Sequence, residues 1–186
     1  MNICVYGAAS SKIDQSYIDE TEKLGREIAA RKFSLLYGAG ASGLMGACAR
    51  GVTAGNGPVI GVVPHFMHVW EPIYEGCTGT IKTETMGERK QVMEDNADAF
   101  IIVPGGIGTF DELFQILTLT ELGRKNAPIV LYNINGYYDN IIELIDTDIQ
   151  KGFIRPVVRE LFAVCDTPDA ALDYIEAELK KKPAEE

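Results

Sequence analysis

A parallel, doubly wound α/β sheet in a single domain is the fold that this sequence of 186 residues predicts. Three observations predict it. Six short β-rich runs, at 2–6, 33–37, 59–63, 99–103, 129–132 and 161–164, alternate with stretches of helix length. Those runs are continuously apolar, as in Phe100-Ile101-Ile102-Val103, which is the pattern of strands covered by helices on both faces. Three of the loops that leave a run are rich in small residues, and in open α/β sheets ligands bind beyond the carboxyl ends of the strands. At roughly 100–200 residues per domain, the length suits one domain over residues 1–186.

The first run opens into Gly7-Ala8-Ala9-Ser10-Ser11, and the second, at 33–37, into Gly38-Ala39-Gly40-Ala41-Ser42-Gly43-Leu44-Met45-Gly46. In each loop, backbone approach to a ligand competes with a simple tight turn. Gly7, Ser10, Gly40, Gly43 and Met45 are the candidate contacts. Neither a Gly-x-Gly-x-x-Gly nor a Gly-Lys-Ser/Thr ending is present, which argues against a standard dinucleotide site and against nucleoside triphosphate hydrolysis. After the third run, the stretch from Pro64 to Thr85 reads as a loop that covers a ligand. It holds His65 and His68, but no nearby Cys or Asp completes a coordination shell, and Met67 and Trp70 suit packing; no metal is expected.

The stretch Met86 to Met93 reads as a helix carrying the adjacent cations Arg89 and Lys90, for which surface ion pairing is the ordinary explanation. The run at 99–103 then leads into Pro104-Gly105-Gly106-Ile107-Gly108-Thr109-Phe110-Asp111-Glu112 and the helix pattern Leu113-Phe114-Gln115-Ile116-Leu117. Glycines let the backbone close on a ligand, and free N–H groups at a helix start attract a phosphate. Glu112 would crowd such a phosphate unless it served in chemistry. The same residues also fit a capping box, with Thr109 as N-cap and Glu112 at the third helical position. Taken alone, the segment supports both readings. The last run, 161–164, precedes a helix whose Lys-rich end passes into a frayed tail at 183–186.

The net charge of −10 opposes a long-range pull toward nucleic acid or anionic lipid. Cys4, Cys48, Cys77 and Cys165 are scattered, without a Cys-x-x-Cys pair, which suits reduced thiols. No basic and apolar leader precedes the first run, and no apolar stretch nears the ~20 residues needed to span a bilayer. A cytoplasmic protein that binds neither nucleic acid nor membrane is expected.

Taken together, Met86-x-x-Arg89-Lys90 and Pro104-Gly105-Gly106-x-Gly108-Thr109-x-x-Glu112 resemble the paired motifs of the LOG (Lonely Guy) family, the cytokinin riboside 5'-monophosphate phosphoribohydrolases formerly often labelled lysine decarboxylases. The resemblance runs from Val5-Tyr6-Gly7 to about Pro128. It implies a modified Rossmann fold, a nucleoside 5'-monophosphate substrate, no cofactor, and Arg89 and Glu112 as the catalytic pair. It further implies substrate contacts from Glu71, Lys90, Gly105, Gly106, Ile107, Gly108, Thr109 and Thr118, and a homodimer with sites near the interface, to which Ile116 and Leu119 could contribute if they are not core. This chain departs from the family pattern at Ala39, where a glycine is common, at Ala8-Ala9, where serines are, and at Leu119, where a tryptophan is. The departure at Leu119 bears on base preference more than on glycosidic chemistry.

The reaction thereby implied is hydrolysis of the N-glycosidic bond through a cationic ribosyl transition state. Glu112 would stabilise that cation and orient or deprotonate the water. Arg89 would neutralise phosphate charge or keep Glu112 ionised. The rival from another class is a non-catalytic nucleotide or molybdenum-cofactor carrier of the same fold. A pyridoxal phosphate decarboxylase and a DNA-binding protein are weaker rivals.

Overall fold

Apolar residues on both sides of each inner strand require helices on both sides. The computed structural model supplies them within the residues it describes, 1–66 and 72–181. In chain order the elements are β1 (Asn2–Tyr6), α1 (Gln15–Ala30), β2 (Ser34–Tyr37), α2 (Gly43–Ala54), β3 (Val59–Pro64), β4 (Gly79–Thr83), α3 (Met86–Asn96), β5 (Ala99–Ile102), α4 (Ile107–Glu121), β6 (Ile129–Tyr132), α5 (Asp139–Lys151), β7 (Phe162–Cys165) and α6 (Pro168–Lys181), with short 3-10 turns at Ile134–Gly136 and Pro156–Glu160. The strands form one sheet in the order β4-β3-β2-β1-β5-β6-β7, and every neighbouring pair is parallel.

Period-two alternation sends side chains of β1 into two different cores. Ile3 and Val5 join Leu24 and Ile28 of α1, Leu44 and Val52 of α2, and Leu172 and Ile175 of α6. Cys4 and Tyr6 join Met93 of α3, Leu113 and Ile116 of α4, and Ile145 of α5. Ile116 is thus fully buried in its own chain, which corrects the expectation that it could serve a subunit contact. The exposed apolar residues of α4 are Phe114 and, at its ends, Ile107 and Leu122.

Two sequence expectations change. The stretch 64–85 contains the parallel edge strand β4, which buries only alternate residues against β3; a half-buried run such as Gly79-Thr80-Ile81-Lys82-Thr83 lacks the continuous apolar signal of the inner strands. Met67, His68 and Trp70 lie outside the described residues, as do the tail residues 182–186. The second change concerns α4. It starts at Ile107 with Gly106 as N-cap, so Thr109 is the third helical residue and no Thr109–Glu112 capping box forms. A capping box forms instead at α3, where Thr85 Oγ1 accepts from the N–H of Glu88 at 3.1 Å while Glu88 reaches back to the N–H of Glu84 at 2.7 Å. Among the described residues no helix is long and apolar enough to cross a membrane.

Candidate active site

The strand order reverses direction at β1, whose two neighbours β2 and β5 are followed by chains that run to opposite sides of the sheet. A crevice beyond the carboxyl ends at such a switch point is the usual ligand position in these sheets. Here it is an open cleft of about 370 Å³. The β1 loop supplies Gly7 to Ser10, α2 supplies Met45, α3 supplies Met86, Arg89 and Lys90, and α4 supplies Gly106, Gly108, Thr109, Asp111 and Glu112.

The start of α4 is left uncapped by any side chain among the described residues. Gly106 provides no side-chain cap, and a Cβ added at Gly106 or Gly108 would meet nothing within 4 Å. The first N–H groups of the helix therefore keep their hydrogen-bonding capacity for a ligand, with the helix dipole behind them. Gly105 is required for a different reason: a Cβ there would lie 2.1 Å from Oγ1 of the buried Thr109.

Arg89 is held from below. It is 6% exposed, its Nε donates to the carbonyl of Val62 at 3.1 Å and its Nη2 to the carbonyl of Gly38 at 3.1 Å. Carbonyls at the ends of β3 and β2 thus fix a guanidinium at the floor of the cleft, where an arginine keeps its charge even when buried. Gly38 is what makes room, since a Cβ there would fall 1.7 Å from Arg89 Nη2. Its neighbour Ala39 takes a left-handed φ of +66°, and its methyl sits over Gly61, where an added Cβ would lie 2.7 Å away. The amide of Ala41 and the carbonyl of Ala39 bond to Pro72 and Tyr74, which lays the re-entering chain against this turn.

Glu112 lines the same cleft without an ion pair to Arg89. Burial pushes its carboxyl up to about 7, and the charges of Arg89 and, more weakly, Lys90 pull against that rise while Asp111 adds to it. A carboxyl poised near neutrality suits proton transfer. Lys90 instead bonds Asp111, Nζ to Oδ2 at 2.9 Å, at the cleft wall. Tyr6, at the end of β1, stacks on Phe100, and its hydroxyl is pushed far above its ordinary range by burial, then by Cys4 and Glu112.

The structure therefore brings Arg89, Lys90, Glu112, Gly106, Gly108, Thr109, Gly7, Ser10 and Met45 to one cleft. It leaves others apart. Ile107 is 83% exposed beside the turn. Thr118 bonds the carbonyl of Phe114 at 2.7 Å and lines a shallow groove on the outer face of α4 with Gln115 and Leu119. Gly40 pairs with Ile73, and Gly43, at φ +58°, packs on the carbonyls of Ala8 and Ser10. Glu71 lies outside the described residues. Sequence reasoning missed Asp111, legible only as the acid beside Glu112, and Gly38, which looks like any glycine after a strand.

Comparison with known proteins places the chain by sequence and by fold. The family model described as "Possible lysine decarboxylase" matches residues 45–175. A probable cytokinin riboside 5'-monophosphate phosphoribohydrolase of Oryza sativa subsp. japonica is 39% identical over 168 residues, 90% of this chain and 73% of the relative. A cytokinin riboside 5'-monophosphate phosphoribohydrolase of Arabidopsis thaliana is 35% identical over 174 residues, 94% of this chain and 81% of the relative. Among solved structures, a structural genomics target superposes with a TM-score of 0.75 at 22% identity, covering 95% of this chain and 98% of that one. The molybdenum cofactor carrier protein of Chlamydomonas reinhardtii does so with 0.71 at 21%, covering 97% and 98%. At these identities the structural likeness is one of fold alone.

Proposed function

Because the chain belongs to the LOG family of cytokinin riboside 5'-monophosphate phosphoribohydrolases, we propose that it hydrolyses the N-glycosidic bond of adenosine 5'-monophosphates, with cytokinin riboside 5'-monophosphate and AMP as the substrate class. Water adds its hydroxyl to the anomeric carbon, the bond to the base breaks, and the base leaves with a proton as ribose 5-phosphate forms. The observation that carries this reading is the meeting of three features in one cleft: an uncapped helix start, a fixed buried cation and a carboxyl poised near neutrality.

In this reading the 5'-phosphate sits on the free N–H groups at the start of α4. Glu112, as carboxylate, faces the ribose, stabilises the developing cation and takes a proton from the attacking water. Arg89 opposes the protonation of Glu112 by its charge, without a direct bond, and Lys90 is available to phosphate if it exchanges its contact with Asp111. No pyridoxal phosphate step enters, and the molybdenum cofactor carriers share the fold without sharing close sequence.

Two finer statements belong to the same proposal. The protein acts in the cytoplasm, supported by four unpaired cysteines. It also works as a homodimer, supported by exposed Phe114 and Leu122 on α4; a partner laid along that face would bring Thr118 into a composite site. The test is chromatography of the products after incubation with AMP and with N6-isopentenyl-AMP. Free base and ribose 5-phosphate from the wild type, and neither from Glu112→Gln, are expected. Intact nucleotide from the wild type with both substrates would end the hydrolase reading.

A further inference from the structure

The loop after β6, Asn133-Ile134-Asn135-Gly136-Tyr137-Tyr138, borders a second cavity of about 230 Å³ that shares Ala8, Ser10 and Gly106 with the cleft but contains none of Arg89, Lys90 and Glu112. Two successive left-handed residues, Asn135 at φ +54° and Gly136 at φ +72°, turn the chain sharply. The turn is pinned from three sides. Asn133 Oδ1 accepts from the N–H of Tyr138 at 2.7 Å, Asn133 Nδ2 donates to Asp139 at 2.8 Å, and Asn135 Nδ2 donates to Ser16 Oγ at 2.9 Å. Two adjacent tyrosines consequently point at the backbone that enters α4. The Tyr137 hydroxyl donates to the carbonyl of Gly105 at 2.5 Å, and the Tyr138 hydroxyl to the carbonyl of Val103 at 2.8 Å. Edge-on contacts of the Tyr137 ring with Tyr17 and with Tyr138 hold it in place.

We propose that Tyr137 is a positioning residue for the substrate's 5'-phosphate, acting through the Gly105–Gly106 peptide; the inference rests on the nucleotide reading above. No peptide bond in the described residues is cis, and in a trans peptide the C=O and N–H point in opposite directions. A carbonyl of Gly105 tied to Tyr137 on the side of the smaller cavity turns the N–H of Gly106 the other way, into the cleft. A peptide between two glycines has little steric preference of its own. Without the tyrosine hydroxyl it is free to flip, and a flipped carbonyl would present a negative dipole to the anion. Tyr138 provides an internal contrast: its acceptor, Val103, precedes Pro104, which has no N–H to aim. Tyr138 therefore serves stability, since its hydroxyl satisfies a buried carbonyl, whereas Tyr137 serves the ligand.

The test uses the full chain with Glu112→Gln, which suppresses turnover, and titrates AMP and adenosine by calorimetry. Adding Tyr137→Phe keeps the ring and its packing. It is expected to weaken AMP about tenfold, the loss of one hydrogen bond to an anion, with adenosine affinity unchanged. Adding Tyr138→Phe is expected to lower the melting temperature while keeping the AMP-to-adenosine ratio. Unchanged AMP affinity in Tyr137→Phe, an equal loss for AMP and adenosine, or a selective AMP loss in Tyr138→Phe would each overturn the brace. A parent that binds no AMP at all overturns the nucleotide reading itself, and the brace with it.

Discussion

The loops that lead from β2 into α2 and from β5 into α4 look alike in sequence, since both are glycine-rich turns from strand to helix, yet the structure gives them opposite tasks. At α2 the N–H groups of Leu44 and Met45 both bond the carbonyl of Ala8, at 2.9 and 3.3 Å. The β1 loop has already consumed that helix end. At α4 no carbonyl or side chain among the described residues caps the helix start, and Gly106 and Gly108 face open space. The lesson is that glycine content alone does not make an anion site; what counts is whether another part of the chain has taken the free N–H groups. The first loop instead builds the seat of Arg89 through Gly38. One loop seats the cation, and the other leaves its N–H groups free for the anion of the proposed function.

The largest expected effect falls on the α4 side. Glu112→Gln should lower kcat by roughly a hundredfold or more, the usual loss when one transition-state contact goes, measured by release of free base. With a carboxylate as the base and a carboxyl near 7 in the free protein, kcat/KM of the wild type should rise with pH up to about 7 and level off above it. The substrate phosphate also titrates near this range, so the decisive comparison is with Glu112→Gln, in which the limb due to Glu112 should vanish. Stability moves the other way. A carboxyl raised from 4.5 to about 7 favours the protonated folded form, so its contribution falls as pH rises from 4.5 to about 7 and is lost above. Glu112→Gln should therefore be more stable than wild type at pH 8, by about 1–3 kcal/mol; a drop in melting temperature there would contradict a half-buried carboxyl without an ion pair.

A glycine exchange on each loop sharpens the contrast. Gly38→Ala drives a methyl into the guanidinium of Arg89, and the displaced arginine abandons the carbonyls of Val62 and Gly38. The expected loss is about 1–3 kcal/mol of stability. The pH limb of Glu112 should also move upward, since Arg89 is the largest influence holding it down. Gly108→Ala, by contrast, meets no neighbour. It should leave the melting temperature unchanged or slightly higher, because alanine is the better helix former, while weakening AMP by roughly tenfold, about 1.4 kcal/mol. Equal behaviour of the two variants, in either assay, would erase the difference between the loops.

How much of this was legible in the sequence follows the same physics. The five inner strands were readable because burial on both faces leaves continuous apolar runs, as at Ile129-Val130-Leu131-Tyr132, and the edge strand β7 because its residues are apolar throughout. The edge strand β4, buried on one face only, was not. Arg89, Lys90 and Glu112 stood out as charged residues in recognisable motifs, and the cleft contains all three. Gly38 and Tyr137 did not stand out, because each acts by filling or tying a backbone position that exists only once distant strands are side by side. The reading of Thr109 as an N-cap failed because sequence cannot distinguish a helix capped at Gly106 from one capped three residues later.

The smallest expected effect lies one residue beyond Gly38. Ala39 holds φ +66°, a conformation that disfavours an L side chain by roughly 1–2 kcal/mol. Ala39→Gly relieves that strain, but two terms oppose the gain. The buried methyl over Gly61 contributes about 0.8 kcal/mol, and a glycine adds about 0.4–1 kcal/mol of unfolded-chain entropy. The three nearly cancel, so denaturant unfolding should show a change of less than about 1 kcal/mol and activity should be unaltered. A loss well beyond that would mean that Ala39 is a packed core methyl whose backbone carries little strain. The near-neutrality of Ala39→Gly beside the damage of Gly38→Ala is the narrowest form of the contrast: within one turn, one glycine is dictated by the arginine it seats, and the next position tolerates alanine because Gly61 leaves room for its methyl.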